Sequence, residues 1–259
     1  MSERPPTTAI VIIGDEILSG RTRDANVSFL GERLAARGLP VREVRIIADD
    51  TDAIGEAVNT LRLRHRYVFT SGGIGPTHDD ITAGAMAIAF GVALERNAEA
   101  QALLEAHYPP EMRTAARMKM ADIPAGASLV DNPVSKAPGF RLDNVFVLAG
   151  VPQILQAMFD GIEPTLEGGV PMVSVTVSCD LGEGVVAEGL GAIQAAHPEV
   201  SIGSYPYFRP GHYGASLVVR GTDPVLVAAV AAEVSELVRS LGGHSAVVDA
   251  MAAVPDAMA

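Results

Sequence analysis

Two stretches of this sequence concentrate groups that could act on a phosphate. "TSGGIGPTHDDIT", Thr70 to Thr82, places Gly72, Gly73 and Gly75 ahead of Thr77, Asp79, Asp80 and Thr82. "GDEILSG", Gly14 to Gly20, sets Asp15 and Glu16 directly behind a glycine. Backbone N–H groups in a Gly-Gly-x-Gly turn approach an anion closely, and a following helix adds the positive end of its dipole. Four carboxylates around a bare phosphate would repel it. A divalent cation of the magnesium, cobalt or nickel class resolves the conflict: hard oxygen ligands hold the ion, and the ion bridges to phosphate oxygens. Asp15, Glu16, Asp79 and Asp80 are the candidate metal ligands, directly or through water. A single aspartate at a helix start reads equally well as a cap; the tandem pair beside a second acidic loop is what calls for an ion.

A third cluster, "DNPVSKAPGF" (Asp131 to Phe140), offers Asn132, Ser135 and Lys136 on a loop fixed by two prolines and a glycine. Read alone it is an ordinary surface turn; beside a phosphate site, Lys136 is a suitable charge partner. The six histidines show no metal-ligand spacing. His78, inside the glycine motif, is a ligand, a proton carrier or neither. Met112, Met118 and Met120 alternate with Arg113, Arg117 and Lys119 in an amphipathic segment that packs or lends its cations to the cleft. Other glycine chemistries fail on spacing: "GGIGPT" is not G-x-G-x-x-G, and neither a G-x-x-x-x-G-K-[ST] loop nor a G-x-S-x-G elbow occurs.

These loops need a frame, and the first two-thirds of the chain supplies one by alternating strand and helix. "TTAIVII" (Thr7 to Ile13) is a β-branched run suited to a strand covered on both faces. Val27, Leu30 and Leu34 recur at helical spacing before Gly38, and "VREVRII" (Val41 to Ile47) is the next strand. Ile54, Val58 and Leu61 mark a helix that Thr51 or Asp52 would cap. "YVFTS" (Tyr67 to Ser71) runs into the glycine motif, and Ile81, Ala85 and Ile88 form a helical face behind it that Gly91 ends. "AEAQALLEAH" is a further helix and "NVFVLAG" (Asn144 to Gly150) a later strand. Such alternation means a mostly parallel sheet with right-handed crossovers, in which ligands collect beyond the carboxyl ends of the strands. Both acidic loops leave such ends.

Near residue 168 the pattern changes. Strand "VSVTVSC", helix Glu183 to Ala196, strands "VSIGSYPYF" and "ASLVVRG", and helix Pro224 to Leu241 with Asp223 as its cap describe a small two-layer α+β unit. The expected division is 1–168 for the α/β domain, 169–245 for the α+β domain and 246–259 for a flexible tail. The single cysteine, Cys179, lies in an apolar alternation and reads as a buried, inert thiol. With 48% hydrophobic and 19% charged residues over 259 positions, the chain is an ordinary globular protein with room for a sizeable core. Its net charge of −12 offers no basic excess for a nucleic-acid backbone. The N-terminus has no signal-peptide core and no apolar run reaches membrane-spanning length, so a cytoplasmic location without membrane association is expected. Exposed strand edges and the habits of such a fold lead to an expectation of a dimer or trimer.

With these loops in hand, the sequence resembles the molybdopterin-binding (MoCF, MogA/MoaB-like) fold, and within it the N-terminal part of CinA-type proteins. The matching pieces are "GDEILSG" with Asn26 downstream, "TSGGIGPTHDDIT", "NPVSKAPGF" and "LAGVP" (Leu148 to Pro152), in the family's order over residues 10 to 152. The second unit looks like the small domain that follows in that subfamily. The resemblance implies a three-layer α/β domain and a pyrophosphate or pterin phosphate in the cleft. For the CinA-like branch it implies divalent-metal-dependent hydrolysis of nucleotide diphosphates such as ADP-ribose or FAD. Asp15 and Asp80 match acids of the wider fold, and they join Lys136 as candidate catalytic residues. Gly14, Asn26, Gly72, Gly73, Gly75, Thr77, Thr82, Asn132, Ser135 and Gly150 are candidate phosphate or substrate contacts. The sequence departs from the pattern at Ser135, where glycine is common, and at Ala149, where proline is common. The C-terminal amidohydrolase domain of full-length CinA proteins is not in this sequence, so deamidation of pyridine nucleotides is expected to be absent. Two other functions fit the same loops: binding or adenylylating a pterin without hydrolysis, and a non-catalytic nucleotide sensor.

Overall fold

The computed structural model describes residues 6–209 and 212–248. The chain divides into two units, Met1–Gly169 and Val170–Ala259. In chain order the first unit opens with β1 (Thr8–Ile13), α1 (Asp15–Leu18), α2 (Asn26–Ala36), β2 (Val41–Ile47), α3 (Thr51–Arg64), β3 (Tyr67–Ser71) and α4 (Thr82–Phe90). It continues through β4 (Leu94–Arg96), α5 (Ala98–His107), α6 (Ala115–Lys119), β5 (Asp122–Pro124), β6 (Ser128–Val130), β7 (Gly139–Leu142), β8 (Val145–Leu148) and α7 (Pro152–Ile162). Six strands form one sheet in the order β2-β1-β3-β8-β7-β6. The four from β2 to β8 are parallel, and β7 and β6 extend the sheet antiparallel. The mixed, mostly parallel sheet expected from the alternation is present.

All six residues of β1 are buried, because the strand is central and covered on both sides. Ala9, Val11 and Ile13 pack with Ile54, Val58 and Leu61 of α3, Met86 of α4 and Leu104 of α5. Ile10 and Ile12 pack on the opposite face with Leu30 and Leu34 of α2 and Leu155 and Phe159 of α7. Three layers follow. On the second face Phe69 stacks on Phe146 with ring centroids 5.1 Å apart and meets Phe159 edge-on at 5.6 Å. Each such buried ring contributes roughly 1.5–3 kcal/mol from desolvation. This core is what holds the carboxyl ends of β1, β2, β3 and β8 rigid beneath the loops.

Local details differ from the sequence reading in instructive ways. Asp50, not Thr51 or Asp52, caps α3: its side chain accepts the N–H groups of Asp52 and Ala53. Asp15 and Glu16 lie in the one-turn helix α1, not in an open loop. The strand expected over Asn144 to Gly150 is shorter, Val145–Leu148, because Asn144 turns to donate to the carbonyls of Arg62 and His65.

The second unit comprises β9 (Val173–Cys179), α8 (Glu183–Ala196), β10 (Ser201–Arg209), β11 (His212–Gly221), α9 (Pro224–Ser240) and β12 (Ser245–Val248). Its sheet runs β10-β11-β9-β12 with every pairing antiparallel. Val177, Leu217 and Val219 pack beneath Val186 of α8 and Val230 and Val234 of α9. Asp223 caps α9 by accepting the N–H groups of Val225 and Leu226. Cys179 is buried, and its thiol faces the Leu181 carbonyl. Strand β12 corrects the expected tail from 246: residues 246–248 pair with β9, and the rest of that tail, 249–259, lies outside the described residues. Among the described residues no helix is long and apolar enough to cross a membrane.

Candidate functional site

A cavity of about 650 Å³ opens over the carboxyl ends of the parallel strands, walled entirely by residues of the first unit. Its wall joins the three loops that the sequence singles out. Gly14 and Glu16 come from the end of β1, Gly72, Gly73, Gly75, Thr77, Asp79 and Asp80 from the end of β3, Asn132 and Ser135 from the loop before β7, and Gly150 from the end of β8.

The glycine turn is built by steric necessity. Gly72 has φ 114°, and a Cβ there would sit 2.1 Å from the Ile13 carbonyl oxygen. Gly73 has φ 68°, and a Cβ there would sit 2.2 Å from Thr82 Oγ1. Glycine alone lets β3 turn this tightly against β1. Gly72 itself has no free donor, since its N–H goes to the Leu148 carbonyl at 3.1 Å. Among the described residues the next three N–H groups, of Gly73, Ile74 and Gly75, find no acceptor within the chain. Three successive unpaired donors in a cavity wall form an anion cradle.

The side chains behind the cradle serve it without facing the cavity. Thr82, fully buried, donates to the Gly72 carbonyl at 3.1 Å, and its N–H donates to the Gly73 carbonyl at 3.0 Å. Asn26, 3% exposed, donates to Ser71 Oγ at 2.9 Å and to the Gly150 carbonyl at 2.8 Å. Both were expected to touch ligand; both are buried, and neither is among the residues that wall the cavity. Asn132, which does line the cavity, also organises its own loop. Its Oδ1 accepts the N–H groups of Val134 and Ser135, and its Nδ2 donates to Ser135 Oγ and the Ala137 carbonyl.

The carboxylates separate into two kinds. Asp80 Oδ2 accepts both the N–H and the hydroxyl of Thr77, closing the turn that ends the motif. Lys119 clamps the same turn from outside, donating to the Thr77 and Asp80 carbonyls at 3.0 and 2.8 Å. Asp80 therefore neither caps α4, which starts at Thr82 behind Ile81, nor stands free for an ion through that oxygen. Asp79 is fully exposed and is held below the usual carboxylate range, first by the Thr77 hydroxyl and then by a backbone N–H. Asp15 lies outside the cavity wall, and Lys136, at φ 60°, does too. Asp49 joins Glu16, Asp79 and Asp80 in the wall and interacts with Asp15.

Asp49, at the end of β2, is the acid the sequence reading missed. It lines the cavity, and its Oδ2 accepts the Asp15 N–H at 3.0 Å. Burial lifts its carboxyl above the usual range; the Asp15 N–H opposes this, and the charges of Asp15, Glu16 and Asp79 add to it. That mutual repulsion fits a site that receives a cation. Among the described residues no three His, Cys, Asp or Glu side chains converge to enclose an ion by themselves. An ion here would be held by one or two carboxylates together with ligand oxygens, the usual arrangement for magnesium. Tyr108, Met120, Ile74 and Ile154 complete the wall with apolar surface, none of it identified from sequence as ligand-facing.

Comparison with known proteins identifies the family. The family model described as "Probable molybdopterin binding domain" matches residues 9–168, and one described as "FAD synthase, middle domain" matches residues 171–245. A "Probable FAD synthase" of Caenorhabditis briggsae is 32% identical over 264 aligned positions, which cover 92% of this chain and 50% of the relative. A "CinA-like protein" of Synechococcus sp. (strain RCC307) is 30% identical, covering 91% of this chain and 59% of the relative. The chain thus spans about half the length of the curated FAD synthase relatives it matches. The crystal structure of a CinA protein from Thermoplasma acidophilum superposes with a TM-score of 0.60 at 34% identity, covering 63% of this chain and 99% of that one. With the first model extending over more than half of the sequence, the chain belongs to the molybdopterin-binding domain family, among its CinA-like members.

Proposed function

We propose that the chain is a divalent-metal-dependent hydrolase of nucleotide pyrophosphates of the ADP-ribose or FAD class. One observation carries the reading: the unpaired N–H groups of Gly73, Ile74 and Gly75 and the carboxylates of Glu16, Asp49 and Asp79 wall the same cavity. Donors alone suit any anion; donors facing a surplus of carboxylates suit an anion that arrives with a cation. The FAD synthase relatives and the middle-domain match favour a substrate with an adenylyl or flavin group.

The reaction adds water across the P–O–P bridge. An oxygen–phosphorus bond forms, the bridging bond breaks, and two phosphomonoesters leave, one of them AMP. Gly73, Ile74 and Gly75 bind the phosphate oxygens and stabilise charge that grows on them. Glu16 and Asp79 are the side chains that would hold the ion. When bound, the ion neutralises the pyrophosphate and lowers the pKa of water. Asp49, its carboxyl already raised, takes the water proton on Oδ1 while Oδ2 keeps the Asp15 N–H. Asp80, Lys119 and Asn26 keep the loops in register.

Adenylyl transfer would use the same groups with a flavin or pterin phosphate, in place of water, attacking the α-phosphorus of ATP as pyrophosphate leaves, and the FAD synthase relatives favour that second reading. Incubating the purified chain with ADP-ribose or FAD and magnesium, cobalt or nickel, then measuring AMP by chromatography, decides between them. Ion-dependent AMP release is expected. Its absence with all three ions overturns hydrolysis, and FAD made from FMN and ATP establishes transfer.

A further inference from the structure

We propose that Tyr108 is a stacking shelf for the heteroaromatic ring of the ligand, and that this subsite selects nucleotides over ring-free pyrophosphates. The proposal rests on the reading of the cavity as a pyrophosphate site. Among the described residues, Tyr108 is the only aromatic side chain that walls the cavity.

Its position is fixed from several sides. Tyr108 is the C-cap of α5, and its N–H donates to the Leu104 carbonyl at 2.8 Å. Its own carbonyl accepts Arg113 Nε at 2.9 Å. The Arg117 guanidinium lies over the ring, 4.7 Å from its centroid, and Arg117 is itself anchored to the Met112 carbonyl at 2.9 Å. The His107 ring meets it edge-on at 4.7 Å. A cation on one face of an aromatic ring orients it and withdraws charge from it, which strengthens stacking of an electron-rich base on the other face.

The surroundings match a base in the same way. Ile74, Met120 and Tyr108 are partly buried, pack on the edge of the same core and all line the cavity. Ile74 also contributes the middle N–H of the anion cradle. A diphosphate on that cradle therefore has carboxylates to one side and an apolar, aromatic wall within the same cavity. Arg113 and Arg117 put positive charge beside that wall, which suits an anionic nucleotide in a chain of net charge −12.

Two non-hydrolysable probes that share a diphosphonate and differ in the nucleoside test this by calorimetry in magnesium: α,β-methylene-ADP and methylenediphosphonate. The wild type is expected to bind the nucleotide more tightly. Tyr108→Ala is expected to lose about tenfold or more for α,β-methylene-ADP, the size of one base–aromatic stack, and to hold methylenediphosphonate within about twofold. Tyr108→Phe is expected to keep both affinities, and melting curves check that each variant is folded. Equal binding of the nucleotide by wild type and Tyr108→Ala overturns the subsite, as does an equal loss of both probes. If the wild type binds methylenediphosphonate alone, the phosphate site stands and the subsite falls. If it binds neither, both readings fall together.

Discussion

Asp49 Oδ2 accepts the backbone N–H of Asp15 at 3.0 Å, so the loop after β2 is tied to the loop after β1 through an acid that three other acids repel. Burial, assisted by Asp15, Glu16 and Asp79, raises the Asp49 carboxyl above its ordinary value. An acid raised on folding binds more protons in the folded state, so its stabilising effect is complete below the unfolded value near ~4 and is lost as pH rises through the folded value. Asp49→Asn keeps an acceptor for the Asp15 N–H and removes the charge. In EDTA the variant should melt above the wild type at neutral pH, with the gap closing as pH falls into the carboxylate range. Its AMP release should fall by about a hundredfold or more, as loss of a general base does. Full activity in the variant would remove Asp49 from the proton path.

Gly72 and Gly20 share a positive φ, 114° and 72°, but not a neighbourhood. A Cβ on Gly72 would meet the Ile13 carbonyl at 2.1 Å, whereas one on Gly20 meets nothing within 4 Å. Gly20→Ala should therefore cost only the left-handed backbone term, about 1–2 kcal/mol. Gly72→Ala adds a clash with fixed backbone and should cost more than about 3 kcal/mol, enough to deplete the soluble protein. Urea denaturation of both variants measures the difference. Equal costs would mean that β1 and β3 can part without penalty.

The framework of the site was readable from residues because apolar periodicity survives in isolation. "TTAIVII" and "YVFTS" are buried on both faces as strands, and Leu30, Leu34, Ile54, Val58 and Leu61 all reach the cores that their spacing points to. What escaped depends on which strands become neighbours. "ADDT" shows two acids before a helix, and Asp50, in place of the expected Thr51 or Asp52, is the cap. That Asp49 beside it joins the acidic cluster follows only from β2 lying next to β1 in the sheet. Thr82 and Asn26 carry polar groups in the family's motifs, and nothing local shows that their partners are backbone carbonyls of the glycine loops. Tyr108 sits before two prolines, where no periodicity operates. Strand β12 is four residues long and gains its identity from β9, on the far side of α9.

Asn26 joins the ends of β3 and β8 by donating to Ser71 Oγ and the Gly150 carbonyl, while its Oδ1 has no partner among the described residues. Replacing it with alanine strands two buried acceptors and should cost about 1–3 kcal/mol. Asn26→Asp should cost more, because it removes the donor and buries a charge. Denaturation midpoints give the stability terms, and binding of methylenediphosphonate reports the cradle. Both variants should weaken that binding, since Gly150 and Gly72 share the wall that Asn26 closes. An unchanged affinity in a destabilised variant would confine Asn26 to folding.

His65 supplies a pH test remote from the acidic loops. It is 7% exposed, its Nδ1 lies 3.0 Å from Thr7 Oγ1, and its Nε2 has no hydrogen-bond partner among the described residues. Burial lowers its pKa, and the Glu43 carboxylate, 3.9 Å from Nε2, opposes this only in part. A histidine lowered on folding binds fewer protons folded than unfolded at mildly acidic pH. Stability must then rise with pH toward the unfolded value near ~6.5 and fall away below it. The neutral ring can accept or donate at Thr7, whereas the charged ring loses hydration that a single distant carboxylate does not replace. Wild type should therefore lose stability as pH falls below about 6.5, and His65→Gln should show a flatter profile there. Urea midpoints at half-unit pH intervals measure both slopes. Parallel profiles would mean that His65 titrates alike in the folded and unfolded chain, and that burial is offset in full by Glu43.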